Sequence, residues 1–145
     1  MYLGNECKAI DWADAGESDP YYDVACVANE MAFHDPLHEN LLFSTYLGHK
    51  PSPAELAKLY LMKQVVWLKW ICNDLENLNS RDLQKYDSIK EVPIAELLKR
   101  LIEGSFKLDT SANRLIFLKA EFTLLLQNAE SPEFKNAVQV LSQPK

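Results

Sequence analysis

The apolar positions along this chain recur at three- and four-residue steps and are separated by helix-starting and helix-ending residues. The pattern predicts a run of helices. Asp19-Pro20 opens the first, to about Phe33, with Val24, Ala25, Val27, Ala28, Met31 and Ala32 as its apolar set. An Asx cap followed by proline suits a helix start, because the first helical position needs no amide donor. Asp35-Pro36 opens the second, with Leu37, Leu41, Leu42, Tyr46 and Leu47, and Gly48 stops it. Ser52-Pro53-Ala54-Glu55 is a capping box that opens the longest helix, roughly Pro53 to Leu78. Its stripe is Leu56, Leu59, Tyr60, Lys63, Val66, Trp67, Trp70 and Ile71. Asn79-Ser80 ends it, and Arg81 to Tyr86 is a continuation or a separate turn. Pro93 opens a helix to about Glu103, ended by Gly104; Ala112 to Gln127 is strongly apolar; Ser131-Pro132-Glu133 caps a last helix to Leu141. Before all of these, Cys7 to Trp12 suits a short strand, and Asp14 to Asp19 suits a turn.

The expected class is therefore mainly α, with a short strand or hairpin at the N-terminus. A chain of 145 residues suffices for one domain with a core. Apolar residues at 48% argue against disorder. The net charge of −6 argues against a nucleic-acid surface. No apolar run reaches the roughly 18 residues of a membrane span. The first six residues do not read as a signal peptide. Cys7, Cys26 and Cys72 are odd in number and widely spaced, which fits reduced, mostly buried thiols and a cytoplasmic location. His34, His38 and His49 lack ligand spacing, and the charged residues from Asp74 to Glu91 read as a solvated face.

One stretch carries chemistry: Ile10-Asp11-Trp12-Ala13-Asp14-Ala15-Gly16-Glu17-Ser18-Asp19-Pro20-Tyr21-Tyr22-Asp23-Val24-Ala25. A carboxylate at a strand end, beside a turn, is well placed to hold a metal ion. The stretch resembles the segment I-D-[FW]-E-x-[AS]-G-x-x-D-P-x-x-D-[LV]-A of the choline/ethanolamine kinase and aminoglycoside phosphotransferase family. That resemblance implies the C-terminal helical subdomain of a protein-kinase-like fold. Asp11 falls on the family's Asp that holds Mg²⁺ against the ATP phosphates, the job of the D-F-G Asp in protein kinases. Asp23 falls on the Asp that braces the catalytic loop. One position departs: Ala13 stands where the family usually has Glu.

The resemblance continues through Tyr46-Leu47-Gly48 and Leu61-Met62-Lys63-Gln64-Val65-Val66-Trp67-Leu68-Lys69-Trp70, which look like the family's Y-x-G and L-W-x-L-W segments. In choline kinases those tryptophans help form the choline pocket. A quaternary ammonium has no N–H to donate, so aromatic faces and a carboxylate must hold it. The carboxylate implied is Glu30, 19 residues after Asp11. Glu30, Trp67 and Trp70 are thus expected to cage the cation. Read without the resemblance, Trp67 and Trp70 are core, Glu30 a solvated helix end, Asp11 a turn carboxylate, and Asp23 a first-turn charge favoured by the helix dipole.

The family's catalytic loop, H-x-D-x-x-x-x-N, should lie about 15 to 20 residues before Asp11 and supply the base and a second metal ligand. Only ten residues precede Asp11, and none has that form. The glycine-rich loop and the lysine strand are absent as well. The resemblance covers 6–78 of a single domain spanning 1–145, and 80–145 read as a helical extension. The expectation is the C-terminal part of a choline-kinase-like phosphotransferase, inactive alone. Mg²⁺ and ATP belong to the intact family enzyme, and the small-molecule partner is an amino alcohol such as choline. Ethanolamine, thiamine or an aminoglycoside is the alternative substrate, with the two tryptophans favouring choline or thiamine. A different class of reading is a non-catalytic helical interaction module derived from a kinase half. Its uncovered face would favour a homodimer or a partner chain that supplies the missing half.

Overall fold

Most helix starts are fixed by a local side-chain hydrogen bond that the sequence encodes; the helix that follows Pro93 has none. The computed structural model describes residues 19–30 and 35–143 in full, and the backbone of 31, 2–3 and 6–7. In the latter, β1 (Tyr2–Leu3) pairs antiparallel with β2 (Glu6–Cys7), Tyr2 opposite Cys7 and Leu3 opposite Glu6. Beyond Cys7, the expected strand to Trp12 lies outside the described residues. The rest is helical.

Helix α1 (Pro20–Met31) begins where the Asp19 carboxylate accepts from the Tyr21 amide at 3.0 Å. Its expected end near Phe33 lies outside the described residues. Asp35 accepts from the Leu37 amide at 2.8 Å and starts α2 (Pro36–Leu47), which Gly48 closes at φ 72°. That left-handed conformation is strained for residues with a Cβ. The capping box at α3 (Pro53–Asn77) forms in both directions: Ser52 Oγ accepts from the Glu55 amide at 3.3 Å, and Glu55 accepts from the Ser52 amide at 2.8 Å. Asn79 caps the short α4 (Ser80–Leu83), and a 3₁₀ turn follows at Tyr86–Ser88. Helix α5 (Ile94–Ile102) ends at Gly104, also at φ 72°. Thr110 caps α6 (Ser111–Glu130), and Ser131 caps α7 (Pro132–Ser142).

Helix α3 is the mast of the fold. Its 25 residues span about 37 Å at 1.5 Å per residue, and it touches α1, α6 and α7. Leu59 packs with Val24, Ala28 and Phe43 of α1 and α2. Trp67 packs with Leu97 and Leu98 of α5, Phe106, and Phe117 and Ala120 of α6. Ile71 packs with Leu78, Leu115 and Leu118. The helices after residue 80 therefore share their core with α3.

Polar ties set the register between helices. Asn29 Nδ2 donates to the Lys63 carbonyl at 3.0 Å, joining α1 to α3. Buried Lys63 pairs with Glu39 of α2. Asn128 donates to Gln64 at 2.9 Å, and the Tyr60 and Ser131 hydroxyls meet at 3.1 Å, joining α3 to the α6–α7 corner. Among the described residues no helix is long and apolar enough to cross a membrane. The thiols differ from the expected burial: Cys26 is half-buried and Cys72 is exposed.

Candidate functional site

The site grows out of the same apolar stripe that builds the core. Trp67 and Trp70 are three residues apart on α3, so they stand beside each other. Their rings meet edge to face, with centroids 5.0 Å apart. Trp67 turns inward and is fully buried. Trp70 is half-buried and forms one wall of a cleft of about 360 Å³. The other walls come from Glu30 of α1, Asn73 and Asp74 of α3, the α5 residues Leu98, Leu101 and Ile102, Leu108, and Phe117 and Glu121 of α6.

The expected cage residues thus occupy different layers. Glu30 and Trp70, 40 positions apart in the chain, line one cleft. Trp67 stands behind Trp70 and is not part of the cleft wall. Asp23 sits exposed in the first turn of α1, away from the cleft lining. Asp11 lies outside the described residues, and among the described residues no group of three His, Cys, Asp or Glu side chains could hold a metal ion. His38 pairs with Asp35 at 3.1 Å, and His49 spans the Leu47 carbonyl and Glu55.

Two carboxyl groups at the cleft were not singled out from the sequence. Asp74 belongs by sequence to a charged, solvated stretch, but it is half-buried in the cleft wall. It lies four residues after Trp70, one helical turn along the same face. Glu121 is 1% exposed. It sits four positions after Phe117 and three after Leu118, on the face of α6 that packs inward. A lone carboxylate at a core position of an apolar helix was the available signal.

The electrostatics of the cleft are dominated by lack of water. Removing a carboxylate from water favours its neutral form. Burial, then the Asp74 charge and a hydrogen bond to Asp74, push Glu121 up to about 9. At neutral pH the neutral form of Glu121 is therefore the favoured one. Burial also pushes Asp74 up, while the Arg114 charge and the Glu121 hydrogen bond pull it back. Partial burial pushes Glu30 up. No amide, hydroxyl or amine donor of the described residues reaches the buried Glu121 Oε2. The arrangement is a mostly apolar slot with an aromatic wall, a carboxylate on α1 and a carboxyl pair spanning α3 and α6. Its chemistry suits a small organic cation.

Comparison with known protein families, curated proteins and solved structures finds no match for this chain.

Proposed function

We propose that this chain is the substrate-binding, C-terminal part of a choline-kinase-like phosphotransferase, whose cleft holds the cationic end of choline or a similar small amino alcohol. One observation carries the reading: Glu30 and Trp70, the carboxylate and an aromatic named by the resemblance, line the same cleft. A ring face attracts a cation by about 0.5 to 2 kcal/mol, more as water is excluded. Glu30 adds the opposite charge. Trp67 holds the Trp70 ring in place from behind.

The parent reaction is transfer of the ATP γ-phosphate to the substrate hydroxyl. Mg²⁺ would supply charge neutralisation between the phosphates, and Asp11 is the residue that the resemblance assigns to it. The described residues bear on the ammonium end of the substrate. They position it and exclude water around it. The chain alone is expected to form no phosphocholine from Mg·ATP and choline.

The test is a titration of tryptophan fluorescence with choline and with ethanolamine. Saturable quenching by either, lost in Trp70→Ala and weakened in Glu30→Gln, supports the reading. No response to either overturns it.

A second reading, a helical interaction module, rests on one face of α3. Val65, Leu68 and Leu75 are 51%, 51% and 43% exposed there, with exposed Cys72 between them. Mass in solution discriminates: a clean monomer at about 100 μM counts against self-association through this face.

A further inference from the structure

The cleft is larger than a choline head, and its walls differ in chemistry. Choline has seven heavy atoms. At about 30 Å³ each, the share one water molecule takes in the liquid, they fill roughly 210 Å³ of a cleft of about 360 Å³. The polar lining comes from Glu30 of α1, Asn73 and Asp74 of α3 and buried Glu121 of α6. Helix α5 and the loop after it add only apolar side chains, Leu98, Leu101, Ile102 and Leu108.

The α5 wall is graded from core to solvent. Leu98, Leu101 and Ile102 stand at i, i+3 and i+4, so they share one face of the helix. Leu98 is buried, Leu101 is half-buried and Ile102 is 61% exposed. Leu101 and Leu108 pack on the same core as Trp70, which holds that wall beside the ring. A large apolar side chain left in water at the lip of a cleft marks surface that a ligand can cover. The ring and the carboxylate serve a charge, but an aliphatic wall serves only an apolar group.

We propose that the ligand of this cleft is an amphiphilic ammonium, with its cationic head set between Glu30 and Trp70 and an apolar tail lying along Leu98, Leu101 and Leu108 towards Ile102. This deepens the amino-alcohol reading and rests on the cleft being a cation site. The volume sets the length of the tail. At the same share per atom, about twelve heavy atoms fit in about 360 Å³. That is a trimethylammonium head with a tail of about eight carbons. Each methylene that leaves water completely tightens binding by about fourfold. Because the lip at Ile102 is open to solvent, the expected step is about two- to threefold.

The test varies the tail at constant charge. The full chain is titrated by calorimetry at pH 7 with choline and with butyl-, hexyl-, octyl- and decyltrimethylammonium, each below its micelle concentration. Hexanesulfonate and octanesulfonate carry the same tails on the opposite charge. The expected result is one site per chain, with affinity rising about two- to threefold per methylene to octyl and levelling at decyl. The sulfonates should bind about tenfold or more weakly than their ammonium counterparts. Two variants separate head from tail. Glu30→Gln should weaken every ammonium by a similar factor and keep the rise. Ile102→Ser, at an exposed position, should lower the ratio of octyl to choline affinity by about fivefold. Equal affinity for choline and the octyl ligand would overturn the tail site and leave the cation site standing. So would an octyl-to-choline ratio that Ile102→Ser does not move. Sulfonates as tight as the ammoniums, or no binding by any probe, would overturn the cation site and the tail site together.

Discussion

Trp67 and Trp70 meet at a centroid distance of 5.0 Å with their planes at 90°, and only Trp70 reaches the cleft. The edge-to-face pair makes Trp67 the support and Trp70 the surface. Such pairs contribute about 0.5 to 1.5 kcal/mol beyond the area they bury. The division of labour separates what the two residues should do when removed.

Trp67→Ala empties a fully buried site at the junction of α3, α5 and α6. It should lower stability by about 3 to 5 kcal/mol. Trp70→Ala removes a half-buried ring and should cost less than half of that, while abolishing saturable amine binding. Urea unfolding of both variants, beside a ligand titration of Trp70→Ala, checks the split. Equal destabilisation would show that Trp70 is core rather than wall.

Glu121 makes folding depend on pH in a definite direction. Its folded-state value is about 9 against an ordinary 4.5. Between those values the folded chain binds a proton that the unfolded chain has lost. The contribution is therefore complete below about pH 4.5 and disappears as pH rises through 9. Asp74 and Glu30, both raised, act in the same sense. The melting temperature should fall from pH 6 to pH 9. Glu121→Gln should flatten that slope and raise stability at pH 9 by about 1 to 2 kcal/mol, or roughly 3 to 6 °C. An unchanged slope in the variant would mean that Glu121 does not carry the linkage.

Much of the fold was legible because its signals are local. Ser52 and Glu55 announce α3 through one turn of backbone, and Gly48 and Gly104 announce two helix ends through their left-handed conformation. The alternation of Leu59, Val66, Trp67 and Ile71 gives the buried side of α3. The cleft was legible only in part. Glu30 and Trp70 could be named, but their meeting depends on how α1 crosses α3, which no local pattern fixes. Asp74 reads as solvated because it opens a charged stretch that runs to Glu91. Its own burial comes from α6, some 40 residues away. Glu121 was hidden by the habit of reading an apolar helix by its apolar residues.

Lys63 offers a test of α2 docking. Its ammonium is buried and pairs with Glu39, whose side chain is 20% exposed. Removing one partner of such a pair strands the other in a poorly solvated place. Lys63→Met should cost about 2 kcal/mol, below the range for a fully buried pair because water still reaches Glu39. The double variant Lys63→Met, Glu39→Gln should recover most of the loss. Chemical denaturation of the three proteins gives the coupling directly, and additive losses would count against the pair.

Asn29 ties the register of α1 to the site itself. It is fully buried, and its Nδ2 donates to the Lys63 carbonyl at 3.0 Å. Its Oδ1 has no partner among the described residues. The next residue is Glu30, so the rotation and height of α1 on α3 decide whether that carboxylate faces Trp70. Asn29→Leu removes the hydrogen bond and the unpartnered oxygen together at similar volume. Replacing both polar features with an apolar side chain should leave stability within about 1 kcal/mol of wild type. Binding should respond differently, because nothing then pins the register that presents Glu30. Amine affinity should fall by about fivefold or more, a loss of roughly 1 kcal/mol. Melting temperature and titration on the same sample separate the two effects. A variant that keeps full affinity would show that packing of Val24 and Ala28 against Leu59 sets the register alone, and that the Asn29 bond is incidental to the cleft.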